Sequence, residues 1–170
     1  MKTLLPLVFA LAMIVGCSDD TTSPSDTNTS STNSFNVTGN GYSNAAFKGY
    51  NADSASQATV DGSNHGIIAF TGKGTKTNEV FAISLMVPEG KTGKITIDAN
   101  PANYKTFILM TSDGSASAQY MALSGEIDVK TWDAAAGGAV KGTFSGTASL
   151  ATAPGTTITI TEGKFDTKRQ

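Results

Sequence analysis

From Phe35 onward, apolar residues recur at every second position in short runs broken by turn residues, and no stretch of ten or more residues carries a helical apolar period. A chain written this way folds into sheets with one face inward. Glu79 to Val87 puts Phe81, Ile83, Leu85 and Val87 on one face, while Val80, Ala82 and Met86 make the other face apolar too. That predicts a central strand.

Other runs follow the same period. Ile95 and Ile97 alternate with Thr96 and Asp98, Phe107 to Met110 is continuously apolar, and Ile127 and Val129 alternate with Glu126, Asp128 and Lys130. Val140, Phe144 and Leu150 share one parity of a long glycine-rich strand, with Ile158 and Ile160 expected opposite. Phe165 breaks the parity after Glu162-Gly163, which calls for a β-bulge. Pro88-Glu89-Gly90, Asp113-Gly114, Gly137-Gly138 and Pro154-Gly155 supply turn chemistry, so the connections are expected to be mostly antiparallel. The fold class expected is all-β, an antiparallel β-sandwich over residues 35–170, with jelly-roll and immunoglobulin-like topologies both open.

A length of 170 residues fits one core with tails. A formal charge of −2 with scattered lysines gives no electrostatic footprint for nucleic acid. One cysteine excludes an intrachain disulfide, and one histidine cannot build a soft-ligand metal cluster; Asp98-Ala99-Asn100 and Asp61-Gly62-Ser63-Asn64 offer hard oxygen ligands without reproducing a calcium loop, so no metal or other cofactor is expected.

The N-terminus carries the most specific motif. Met1-Lys2-Thr3 is a short basic lead, and Leu4 to Val15 is an apolar run interrupted by Pro6, too short to span a bilayer. It closes on Ile14-Val15-Gly16-Cys17, which resembles the lipobox of bacterial lipoproteins. The resemblance implies cleavage between Gly16 and Cys17, removal of residues 1–16 as a signal peptide, and diacylglycerol on the Cys17 thiol with acylation of its new amine. Such chains hold a protein stably on a membrane. Ser18-Asp19-Asp20 resembles the acidic export signal of surface lipoproteins of the Bacteroidetes type. It implies an outer-membrane lipoprotein exposed at the cell surface, with the periplasmic face as the alternative. Residues 18–34 hold no aliphatic or aromatic side chain, so 17–34 reads as a lipidated cysteine followed by a disordered tether. Its r.m.s. reach is roughly 20 to 25 Å.

The stretch from Ser124 to Asp166, with Ile127-Asp128-Val129 and Trp132-Asp133, then Gly142-Thr143-Phe144-Ser145 and Gly163-Lys164-Phe165, resembles the C-terminal half of small bacterial lipoproteins of β-sandwich type. That family carries no assigned activity, so the resemblance speaks to fold alone.

His65 has no partner legible nearby, and no G-x-S-x-G, Ser-x-x-Lys, H-E-x-x-H or phosphate-loop pattern occurs, so the chain is not expected to be an enzyme. Glu79, Glu89, Glu126, Glu162 and the aspartates would make a carboxylate site only if they converged in a cleft. Trp132, Tyr104 and Tyr120 are candidates for stacking against a glycan or contacting a protein ligand. The leading expectation is a non-catalytic binding or structural module at the outer membrane. The alternative is a carbohydrate-processing or carbohydrate-binding accessory lipoprotein. A carrier of an apolar ligand would need a cavity in place of a filled core.

Overall fold

The computed structural model describes residues 32–50, 53–60, 62–75, 79–100, 105–112 and 117–170. Cys17, Gly16, Ser18, Asp19 and Asp20, Tyr104 and the Asp113-Gly114 turn lie outside them. Ten strands follow in order: β1 Ser34–Gly39, β2 Tyr42–Gly49, β3 Ser54–Val60, β4 Ser63–Lys73, β5 Val80–Pro88, β6 Gly93–Ile97, β7 Thr106–Ser112, β8 Ser117–Trp132, β9 Ala139–Leu150 and β10 Thr157–Lys168. Every ladder between them is antiparallel, as expected.

The sandwich expected from the sequence is a closed barrel. The sheet runs β2-β1-β10-β9-β8-β7-β5-β4, and β4 returns to β2 through Lys48↔Lys73 and Gly49↔Gly72, giving eight strands in a ring. Two positions are split. β3 continues along β4 where β2 ends, and β6 lines the second half of β8 where β7 lines the first. With β2 and β3 sharing one position and β6 and β7 another, the strands take the ring in chain order and β10 closes on β1, so this is an up-and-down barrel, which rules out the Greek-key connections of jelly-roll and immunoglobulin topologies. Inward-outward alternation is the same in a sandwich and a barrel. Closure depends on two ladder pairs that no local pattern announces.

The interior is filled by rings. Phe35 of β1 stacks on Phe47 of β2 at 5.2 Å between centroids and 7° between planes. Phe47 meets Phe81 of β5 edge-on at 4.5 Å, and Phe35 reaches Phe70 and Phe144 at 6.2 and 6.3 Å. Five strands from around the ring thus touch through one cluster. Such pairs add about 0.5–1.5 kcal/mol each beyond the area they bury. The expected inward residues of β5, β6 and β10 are buried, including Ile95, Ile97, Ile158 and Ile160. An apolar interior is the reverse of the polar lumen of a membrane-spanning barrel.

Two details of register matter. The bulge expected at Glu162-Gly163 is present: β10 carries one extra residue against β9 between Ile160 and Gly163, and against β1 between Asn36 and Ser34. Glu162 adopts φ 54° there. β5 is the central strand expected, paired with β4 on one side and β7 on the other. Its inward face is buried, and Val80, Ala82 and Met86 lie half-buried on the outer wall.

Candidate functional site

The bulge in β10 opens a groove on the outside of the barrel, across β8, β9 and β10. On β8, Glu126 and Asp128 are two residues apart and flank inward Ile127, so both project outward, roughly 7 Å apart along the strand. Ser145 and Thr143 of β9 stand directly opposite them. Lys164 of β10 pairs with Thr143, and Glu162 sits in the bulge. These side chains, with Phe144 and Gly163 forming the floor, line a volume of about 490 Å³. Gly163 is where it is because a Cβ there would fall 2.4 Å from the Phe144 carbonyl oxygen and 2.6 Å from its ring.

Three carboxylates therefore line one groove, and each already has a partner. Lys94 of β6 holds Glu126 at 2.9 Å, Lys130 holds Asp128 at 2.6 Å, and the Asn36 amide donates to Glu162 at 3.1 Å. Asp128 is buried to 8% exposure between its neighbours. The central hydroxyls of Thr143 and Ser145 lie between these paired charges. The arrangement offers alternating donors and acceptors to a hydroxyl- or amide-bearing ligand lying across the strands. Glu79 and Glu89 are not part of it: Glu79 is buried before β5, and Glu89 binds Arg169 at 3.0 Å.

The aromatic candidates are not brought together. Tyr120 is 2% exposed, its ring inside the barrel and its hydroxyl accepting from Asn40 at 2.5 Å. It presents no stacking face. Trp132 lies twelve residues further along β8, at the other end, half-buried against the core with its six-membered ring over Gly66. Tyr104 lies outside the described residues. His65 is buried at the start of β4, and the Asp98 carboxylate accepts the amide of Asn100 at 2.9 Å. Among the described residues no group of three or more His, Cys, Asp or Glu is placed to hold a metal ion.

Reading the strands singly missed Thr143, Ser145 and Lys164, because nothing in β9 or β10 alone marks them. The one available signal was the pair of acids at Glu126 and Asp128 together with the bulge. Comparison with protein-family models, with curated proteins and with solved structures finds no match to this chain.

Proposed function

We propose that this chain is a lipoprotein anchored through Cys17 to the outer membrane, and that its barrel is a non-catalytic module recognising a ligand or partner with its outer wall. The observation that carries the reading is Ile14-Val15-Gly16-Cys17 at the end of the apolar run, where the chain's one cysteine stands. A barrel filled by phenylalanine rings supports the second half, since it leaves recognition to the outside. Ser18-Asp19-Asp20 favours the cell surface over the periplasmic face.

The test has two arms. An alkyne fatty acid fed to cells should label the protein, and Cys17→Ser should abolish both the label and membrane retention. Protease added to intact cells should digest the barrel if it faces outward; digestion only after permeabilisation would move it to the periplasm. Labelling that survives Cys17→Ser would overturn the anchor.

A second reading, a carbohydrate-binding accessory, is favoured by one observation: carboxylates and hydroxyls from three strands meet in one groove. Glycan-panel binding that is lost in Thr143→Val/Ser145→Ala would support it. Binding unchanged in that variant would remove the groove from consideration.

A further inference from the structure

The outer wall of the barrel is divided by charge. β3, β4, β5, β7 and the Ser117–Ser124 half of β8 stand side by side and carry one charged residue among them, Lys73 at the end of β4. β6, the Gly125–Trp132 half of β8, β9 and β10 carry nine, and β1 and β2, which complete the ring between β10 and β4, carry Lys48 alone.

The neutral wall is also apolar. Ile67 and Met86 are register partners on it, and so are Ile108 and Met121. Met121 and Leu123 are 38% and 46% exposed, large hydrophobic side chains left in water. Leu123 shares the outward parity of Met121, opposite to inward Tyr120 and Ala122, and the register shift between Ala122 and Ser124 reverses the parity only beyond it, where Ile127 turns inward. A bulge of this kind re-aims a side chain. The apolar second face of β5, legible in the sequence and half-buried in the fold, belongs to the same wall.

We propose that this neutral wall rests on the lipid surface to which Cys17 anchors the chain, with the charged wall turned to solvent. The proposal builds on the lipoprotein reading. Fifteen residues join Cys17 to Asn33, an r.m.s. span of roughly 20 Å, so the barrel is kept beside the bilayer. Of its two walls, the charged one would lose hydration against lipid, whereas the neutral one gives up little and removes Met121, Leu123 and Ile108 from water. The tether keeps the barrel near the lipid, and the wall chemistry selects which side meets it.

The test uses the full chain, processed and lipidated in a bacterial host and reconstituted into phosphatidylethanolamine–phosphatidylglycerol vesicles. With the Cys17 sulfur tied up as a thioether, an introduced cysteine is the one reactive thiol. Leu123→Cys on the neutral wall and Lys164→Cys on the charged wall, both at exposed positions and on strands that do not pair with each other, are labelled with an environment-sensitive fluorophore, and spin-labelled lipid is added as quencher. Quenching is expected to be about twofold or more greater at Leu123→Cys than at Lys164→Cys. Equal quenching at both positions overturns the proposal while leaving the anchor standing. Crosslinking of Leu123→Cys between copies, without lipid quenching, overturns it in favour of a second chain on the wall. An N-terminal fragment whose mass lacks diacylglycerol fails the lipoprotein reading itself, and the proposal with it.

Discussion

The Trp132 indole fills the space over Gly66 so fully that a Cβ on that glycine would fall 2.0 Å from Cη2 and 2.6 Å from Cζ3. The contact joins the end of β8 to the start of β4 across the barrel. Gly66→Ala should therefore overpack, costing about 2 kcal/mol and lowering the thermal midpoint by roughly 4–8 °C. Trp132→Ala removes the obstacle, so the double variant should be distinctly more stable than the two single losses added together. Circular dichroism melts of the four proteins measure this. Additive losses would mean that the ring moves aside freely.

Adjacent residues in the β10 bulge should respond with opposite signs. Glu162 sits at φ 54°, a left-handed conformation that costs a side-chain-bearing residue about 1 kcal/mol. Glu162→Gly relieves it and forfeits only an exposed hydrogen bond from Asn36, for a net gain of about 0.5 kcal/mol. Gly163→Ala would press a methyl onto the Phe144 carbonyl and should lose about 2 kcal/mol or more. Urea midpoints for the two variants should move to either side of the parent.

That bulge was legible in the sequence because Phe165 falls on the wrong parity, and β5 was legible because Phe81, Ile83, Leu85 and Val87 keep strict period two. β8 was harder. Tyr120 and Ile127 both face inward although seven residues separate them, because the register shifts between Ala122 and Ser124. A second shift, between Val129 and Thr131, turns Trp132 back onto the core. Without those shifts Tyr120 reads as a surface ring. Closure was not legible either, since Lys48↔Lys73 is a long-range pairing between residues with no mark of their own. The groove had the same difficulty: its acids, hydroxyls and lysine come from three strands and meet only through register.

Arg169 acts as a latch at the end where β10 finishes. It binds Glu89 at 3.0 Å with side chains 13% and 15% exposed, and donates to Gln57 at 2.6 Å and to the Ala134 carbonyl at 2.5 Å. Its backbone bridges Ala55 of β3, beyond the point where β1 begins. Arg169→Ala leaves Glu89 largely buried without its cation, so a loss of about 2 kcal/mol is expected. Adding Glu89→Gln should recover part of it, since the amide carries no charge to strand. A melt of Arg169→Ala alone within 1–2 °C of the parent would show that the latch contributes little.

Surface pairs on the charged wall should behave differently from that latch. Lys141 and Asp166 pair at 2.8 Å but are 49% and 40% exposed, so Lys141→Ala should change stability by less than about 1 kcal/mol, and less still in high salt. Lys94 offers a sharper readout. Its ammonium is held above the ordinary value of 10.5, chiefly by its hydrogen bond to the Glu126 carboxylate, then by that group's charge and, more weakly, by Asp128. A raised folded-state value favours the protonated, folded form. The contribution is therefore fully present below pH 10.5 and is lost as pH rises through the raised value. An NMR titration should place Lys94 above an unpaired lysine, and Glu126→Gln should bring it down toward the ordinary value. A midpoint unmoved by Glu126→Gln would assign the shift to some other group on the wall.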